Sequence, residues 1–354
     1  MENARWMIYG AYGYTGRLIV AEAHRRGLNP VIAGRDRERL RLLAREYGCE
    51  QRAFEIDHAR GVKAHLKGME LVLLCAGPFS ATASHVIKAC LAREAHYLDI
   101  TGEIPVFQDA HAHHRLARQA GVVLCPGVGF DVVPTDCLAL TLKHALPEAD
   151  RLALGFESAS PLAPGTAKSL VEMLAQGGRR CRDSEIRAAP LARRARDIDF
   201  GNGTRHAVSL PWADLFSAHH STGIPDIEVF LPLQRRQAWR LKMLAALRPM
   251  LGLRPLQQGL QRMIARRVHG PSPAERAASP SFVWGEARAA DGQRKTARIR
   301  TANVYDLSAY VAVDIAAHVL CKAAPAGFTT PGLLMGADYI TRLPGSGVLE
   351  LIRN

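Results

Sequence analysis

Seven residues near the start of the chain, Gly10-Ala11-Tyr12-Gly13-Tyr14-Thr15-Gly16, place three glycines at intervals of three. The apolar run Trp6–Tyr9 leads into the first glycine, and a helical pattern over about residues 15–26 leaves the last. Such a turn lets the backbone approach a pyrophosphate closely. It also presents N–H groups at a helix N-terminus, where the helix dipole favours negative charge. Gly10, Tyr12, Gly13, Tyr14, Thr15 and Gly16 are therefore candidate dinucleotide contacts, the plainer alternative being a glycine-rich turn without a ligand.

The next apolar run, Val31–Ala33, ends in Gly34-Arg35. A carboxylate about 20 residues past the glycines would bind the ribose hydroxyls of NAD. Here a small residue and Arg35 stand in its place, which removes a charge that would repel a 2′-phosphate and supplies a guanidinium that can grip one. NADP is therefore preferred over NAD, the alternative being that Arg35 merely opens a solvated helix. Arg37 and Arg39 add positive field nearby.

Three further segments follow apolar runs: Cys75-Ala76-Gly77-Pro78-Phe79, Asp99 to Glu103, and Gly127 to Asp131. Loops at the carboxyl ends of parallel strands line the ligand crevice. Ala76, Gly77, Pro78, Phe79, Thr101 and Gly102 join the candidate cofactor contacts. The competing reading is an ordinary turn at Gly77-Pro78 and a cap for the following helix from Thr101 or Glu103. Asp131 is equally readable as a helix-entry residue or as a group that takes part in chemistry.

These loops need elements to hold them. The spacing predicts strands at Trp6–Tyr9, Val31–Ala33, Phe54–Ile56, Leu71–Cys75, His96–Ile100 and Val122–Cys125. Helices are predicted between them, including Arg37–Tyr47 capped by Asp36 and ended by Gly48, and a long one near Val106–Ala120. Strands alternating with helices at this spacing mean βαβ units and a parallel sheet. Farther on, Leu152–Phe156 reads as a strand and Thr166–Gln176 as a helix capped by Thr166. Ala290-Asp291-Gly292 between two extended runs reads as a hairpin turn. The fold class is α/β: a Rossmann doubly wound parallel sheet with an inserted α+β second domain.

The chain has 354 residues, length for about two domains. The 48% hydrophobic and 22% charged content is that of a globular protein and argues against disorder. No leader pattern opens the chain, and no apolar run reaches membrane-spanning length, so a cytoplasmic protein is expected. The seven cysteines form no Cys-x-x-Cys pair, which fits free thiols. His111 and His114 share a helix face, but with Asp109 as the one further ligand type nearby no metal is expected.

The net charge of +13 lies wholly in residues 179–300, which hold 23 basic and 10 acidic residues. Its densest part, Arg235–Arg267, has no acid and interleaves arginines with Trp239, Met243, Leu244, Leu247 and Leu251. A basic amphipathic segment of this kind suits an anionic membrane surface, so a peripheral membrane location joins the cytoplasmic one. The plainer reading has the apolar stripe packed on the second domain and the arginines in water. No nucleic-acid motif accompanies the charge, and no nucleic-acid partner is expected.

Taken together, Gly10–Gly16, Ala33-Gly34-Arg35, Cys75–Phe79, Tyr97 to Glu103 and Gly127 to Asp136 resemble the saccharopine dehydrogenase-like oxidoreductases, in particular their trans-acting enoyl reductase-like branch. Gly327-Phe328-Thr329-Thr330-Pro331 and Gly336 to Ile340 extend the resemblance, which spans most of the chain except about 180–275. It implies a Rossmann domain over 1–130, a substrate domain over 131–305, and a C-terminal segment over 306–354 packing back near the first domain. The departures are Tyr12 for the family's usual Thr, Val132-Val133-Pro134-Thr135-Asp136, and Ala163-Pro164-Gly165-Thr166; they leave the cofactor assignment standing and the substrate open.

The activity expected on this basis is NADPH-dependent reduction of a carbonyl, imine or activated double bond. The partner would be a small molecule, apolar or acyl, of lipid or polyketide kind. The alternative is a non-catalytic NADP-binding sensor or membrane scaffold. A homodimer is one assembly the sequence allows. None of the eight tyrosines has lysine four residues later, so the Tyr-x-x-x-Lys device of short-chain dehydrogenases is absent. Lys168, Tyr305, Asp131 and Tyr97 are the candidate proton donors or charge stabilisers. Solvation for Lys168 and core packing for Tyr305 are the competing readings.

Overall fold

The leucine- and isoleucine-rich runs of the first half lack polar alternation, so both faces must be covered. In the computed structural model, which describes residues 4–246, 259–260, 263–264, 267–321 and 324–353, they are. Strands β1 (Trp6–Tyr9), β2 (Val31–Gly34) and β4 (Leu71–Leu74) are buried at every position, while β3 (Gln51–Ala53) sits half exposed at the sheet edge. β5 (His96–Asp99), β6 (Val123–Cys125) and the two-residue strand Gly327–Phe328 complete a seven-stranded sheet. Its order is β3-β2-β1-β4-β5-β6 followed by Gly327–Phe328, with all pairs parallel. The first six strands have the order of a doubly wound dinucleotide fold, in which the crevice opens at the carboxyl ends of the strands.

Two local expectations shift. The third strand lies at Gln51–Ala53 and not at residues 54–56. Phe54 is buried because its ring packs on Tyr9, 5.0 Å between centroids, and its carbonyl accepts from the Tyr9 hydroxyl at 2.9 Å; it covers the strand ends. The long helix predicted near residues 106–120 is two, Ile104–Ala112 and His114–Ala120. His113 marks the break, its Nδ1 lying 2.8 Å from the Asp109 carbonyl.

The chain divides into two compact units. The first comprises Met1–Asp131 and Tyr305–Leu334, the second Val132–Val304 and Met335–Asn354. The residues expected to return as one C-terminal segment, 306–354, thus split between the units after Leu334.

The second unit is built on a mixed sheet. Its strands are β7 (Ala149–Ser158), β8 (Gly178–Arg182), β9 (Glu185–Ala189), β10 (Ala195–Asp199), β11 (Thr204–Ser209), β12 (Asp226–Pro232), β13 (Ser281–Ala289), β14 (Arg294–Thr301) and Glu350–Arg353. The order is β10-β11-β12-β7-β13-β14 and then Glu350–Arg353, with β8 on β12 and β9 on β8. β13 and β14 form the hairpin read from Asp291-Gly292. One face carries Leu154 and Gly285 against helix Val133–Ala145; a Cβ on Gly285 would lie 2.7 Å from Leu142 Cδ1, so that helix sits directly on the sheet. The helix at residue 166 begins earlier than expected, at Pro164, and no side chain caps it.

Of the basic run, helix Arg235–Ala246 and Gly259, Leu260, Met263, Ile264 and Arg267 are described; 247–258, 261–262 and 265–266 lie outside the described residues. Ala238 packs into a cluster with Leu191, Val208 and Leu210, and Leu241 leans on it, so part of the apolar stripe faces the unit's own core. Trp239, 64% exposed, and Met243, 54% exposed, point to solvent. Among the described residues no helix is long and apolar enough to cross a membrane.

Candidate dinucleotide-binding site

β1 runs into Gly10, whose φ of +87° suits glycine. A Cβ there would stand 2.9 Å from the Ala76 nitrogen and the Cys75 carbonyl carbon, so the first loop lies directly on the loop after β4. A Cβ on Gly16 would meet the Gly10 carbonyl oxygen at 2.2 Å. The turn closes through Gly13 N–H donating to the Gly10 carbonyl at 2.9 Å, and helix Tyr14–Arg25 follows. That helix has no side-chain cap and no acid in its first turn. Its N-terminal N–H groups therefore suit an anion from outside the helix.

Tyr12 crosses the end of β2. A Cβ on Gly34 would fall 2.5 Å from Tyr12 Cε1, so the ring lies where only glycine leaves room. The Tyr12 hydroxyl accepts from Asp36 N–H at 3.3 Å, and the Arg39 guanidinium lies 5.9 Å from the ring centre. Asp36 caps helix Arg37–Tyr47 by accepting from Glu38 and Arg39 N–H, both at 3.1 Å, and so stays tied to backbone beside the site. Arg35 is exposed at the end of β2, and among the described residues no carboxylate is paired with it.

The loops after β4 and β5 are joined by Glu103. Its carboxylate accepts from Phe79 N–H at 3.0 Å and Ser80 N–H at 2.8 Å, at the start of helix Phe79–Leu91. One of the two readings of this segment has Thr101 or Glu103 capping the helix that follows. Glu103 is the N-cap residue of Ile104–Ala112, but its side chain makes no cap bond there and serves the earlier helix. A carboxylate at that N-terminus is favoured by the helix dipole. Thr101 Oγ1 accepts from Glu103 N–H at 3.0 Å, so Thr101, Gly102 and Glu103 form one tight link to Phe79. The Gly77–Pro78 bond is cis, and Thr82 Oγ1 donates to the Ala76 carbonyl at 2.9 Å.

Asp99, fully buried, fastens the next loop. Its carboxylate accepts from the Tyr97 hydroxyl at 2.6 Å, Thr101 N–H at 2.9 Å and Gly127 N–H at 2.8 Å. Burial pushes its carboxyl up to about 6 against those bonds. Tyr97 is thereby engaged in structure, and burial together with the Asp99 charge holds its hydroxyl well above the usual range. Sequence reasoning did not find this clamp, although Asp99 two residues before Thr101 is the pattern of an Asx turn. Nor did it find Ser308, whose Oγ accepts from Phe130 N–H at 2.9 Å.

The remaining candidates divide between the units. Asp131 closes the first unit's Gly127 loop, and burial pushes its carboxyl up to about 7. Tyr305 is buried, its ring edge-on to Tyr14 with centroids 5.0 Å apart. Lys168 stands half-buried on helix Pro164–Gln176 of the second unit. His111 and His114 face the strand Gly327–Phe328: the His111 ring packs edge-on to Phe328, and His114 Nδ1 accepts from Phe328 N–H at 3.1 Å.

A parallel sheet of this strand order, with a glycine loop that leaves no room for a Cβ at Gly10 or Gly16, defines a dinucleotide-binding Rossmann unit. Residues 6–125 match the family model described as the saccharopine dehydrogenase NADP binding domain. The residues present fit the cofactor: a backbone cradle at Gly10–Gly16 and an exposed guanidinium at the end of β2.

Among similar curated proteins, the mouse saccharopine dehydrogenase-like oxidoreductase is 28% identical over 160 residues, 40% of this chain and 37% of that protein. The bovine one is 30% identical over 151 residues, 37% of this chain and 35% of its own length. A trans-acting enoyl reductase of Mycobacterium bovis is 26% identical over 138 residues, 37% of this chain and 33% of its own. The matches thus span about a third of each relative's length. Among solved structures, yeast saccharopine dehydrogenase (L-Glu forming) superposes with a TM-score of 0.65 at 11% identity, covering 99% of this chain and 100% of that one. Homospermidine synthase of Legionella pneumophila, in complex with NAD, gives 0.67 at 12% identity, covering 99% and 92%. At these identities the likeness is one of fold.

Proposed function

We propose that the chain is an NADPH-dependent reductase of a carbonyl, imine or activated double bond, with an acyl substrate of lipid or polyketide kind. The observation that carries the reading is the glycine loop, closed to a Cβ at Gly10 and Gly16, together with an exposed Arg35 at the end of β2 that pairs with no carboxylate among the described residues. Relatives named oxidoreductase and enoyl reductase support the reaction class and the acyl substrate. The backbone of Gly10, Gly13 and Gly16 with Tyr12, Tyr14 and Thr15 would hold the pyrophosphate end, and Arg35 the 2′-phosphate. Ala76, Gly77, Pro78, Phe79, Thr101 and Gly102 would line the remainder. When bound, NADPH supplies a hydride.

The chain's own part is to hold and deliver a proton, and Asp131 suits it best. A carboxyl with a pKa of about 7 is protonated often enough at neutral pH to act as an acid. Lys168 and Tyr305 are the other candidates. NADPH oxidation, followed by its absorbance, across enoyl thioesters, ketones and imines tests the reading. Turnover of one class is the expected result. Saturable NADPH binding with no turnover in any class overturns it in favour of a sensor.

An anionic membrane surface is the partner we propose for helix Arg235–Ala246, whose exposed Trp239 and Met243 stand among Arg235, Arg236, Arg240 and Lys242. Flotation with anionic liposomes tests this; no flotation, or flotation unchanged by Arg236→Glu with Arg240→Glu, overturns it.

A further inference from the structure

The open face of the second unit's sheet holds a cavity of about 490 Å³, the size of a small-molecule site. Its position follows from the strand register. On the central strand β7, Arg151 and Ala153 share the face that lines it, the second with almost no side chain. Opposite Arg151 stand Asp226 on β12 and Arg288 on β13, and opposite Ala153 stand Glu228 and Glu286. A small residue at the centre of a sheet flanked by long ones leaves a recess. The β8–β9 hairpin adds Arg180 and Arg182 to the lining, and residues 193–196 add three more arginines.

Seven arginines and three acids line this recess. The acids are already used. Glu286, buried, takes both Arg196 nitrogens at 3.2 Å and Arg288 Nε at 2.8 Å. Burial would raise its carboxyl, and the two guanidiniums outweigh that and hold it below the usual range. Glu228 pairs with Arg194 at 2.7 Å, and Asp226 accepts from Asp183 N–H at 2.9 Å. Arg196 is further fixed over the Trp284 ring, 4.8 Å from its centre. Arg182 pairs with Asp183 at 3.7 Å, and Arg151, Arg180 and Arg193 remain, with no carboxylate paired to them among the described residues. Guanidinium forks left over around a recess match the oxygens of a phosphate group.

We propose that this recess binds a phosphorylated small molecule, its phosphate held by Arg151, Arg180 and Arg193. Glu228 and Glu286 keep Arg194, Arg196 and Arg288 in place as the wall. The site is separate from the dinucleotide loop: every lining residue belongs to the second unit. It also gives a use to part of the positive excess of residues 179–300, which the cofactor site does not touch.

Calorimetric titration with inorganic pyrophosphate, in the presence of saturating NADPH, tests the assignment on the full chain. One saturable site is expected, weakened at least tenfold by Arg151→Ala and abolished by Arg151→Glu, with NADPH affinity unchanged. Ala153→Phe, which fills the floor and leaves the charge alone, should abolish it too. Arg342→Ala, the same charge change outside the lining, should leave it intact. Absence of saturable binding to the unaltered chain overturns the proposal. So does equal weakening by Arg342→Ala, or full affinity in an Ala153→Phe variant that still binds NADPH.

Discussion

The carboxylate of Glu103 accepts the backbone N–H of Phe79 at 3.0 Å, tying the loop after β5 to the first turn of the helix after β4. With the second bond from Ser80 it satisfies two N–H groups that no helical carbonyl can reach. Glu103→Ala leaves both without a protein partner and removes a favourable charge from the helix N-terminus. A loss of about 1–2 kcal/mol is expected. Glu103→Gln keeps an acceptor and should lose about half as much. Urea denaturation of the three proteins checks this, and equal midpoints would show that water replaces the carboxylate without loss.

Gly16→Ala should abolish tight NADPH binding while the sheet persists. The added methyl would enter 2.2 Å from the Gly10 carbonyl oxygen, a backbone atom that moves only if the loop does. Moving the loop spoils the alignment of its N–H groups with the pyrophosphate. A rise in the NADPH dissociation constant of at least tenfold, about 1.4 kcal/mol, is expected by fluorescence titration. An unchanged constant would mean that the pyrophosphate does not sit on this turn.

Arg35→Ala separates the two nicotinamide cofactors. A charge-assisted bond to a 2′-phosphate is worth about 1.5–3 kcal/mol, so NADPH affinity should fall about 10- to 100-fold. NADH lacks that phosphate and should bind as before. Equal losses for both would assign Arg35 to a general role in the field of the site.

Much of this loop geometry was legible in the sequence, because its rules are local. Gly10, Gly13 and Gly16 sit between a buried run and a helix, and Asp36 and Gly48 bracket Arg37–Tyr47 as caps do. What escaped was set at long range. Glu103 serves a helix that begins 24 residues earlier, a pairing no short pattern carries. β8 and β9 escaped because neither alternates apolar with polar residues: Gly178–Arg182 carries three arginines, two of which line a charged recess and not a core, and Glu185–Ala189 holds one large apolar residue. β3 was displaced by one apolar residue, Phe54, buried by its contact with Tyr9.

The Asp99 clamp makes stability depend on pH in a stated direction. Its carboxyl titrates near 6 in the folded chain and near 4 when unfolded. Between those values the folded form binds the proton more tightly. Its contribution is therefore fully present below about pH 4 and is lost as pH rises through about 6, by roughly 3 kcal/mol in all. Asp99→Asn keeps an oxygen for Thr101 and Gly127 N–H and can donate to the Tyr97 oxygen, but it does not titrate. The difference in unfolding free energy between the two proteins should change across pH 4–6 and be constant above it. A flat difference across that range would place the titration elsewhere.

Asp131 allows the proposed proton delivery to be read in a rate profile. Burial pushes its carboxyl up to about 7, because the ionised form loses its hydration. A donor must carry its proton, so kcat measured with saturating NADPH should be level below about pH 7 and fall tenfold per unit above it. Asp131→Asn keeps the shape of the side chain and cannot give up a proton. A drop in kcat of about 10²- to 10⁴-fold is expected, with the falling limb gone and NADPH affinity unchanged. A purely structural Asp131 would lower kcat or stability and leave the limb in place. A retained limb would then pass the role to Lys168 or Tyr305, whose Lys168→Met and Tyr305→Phe variants would be read on the same profile.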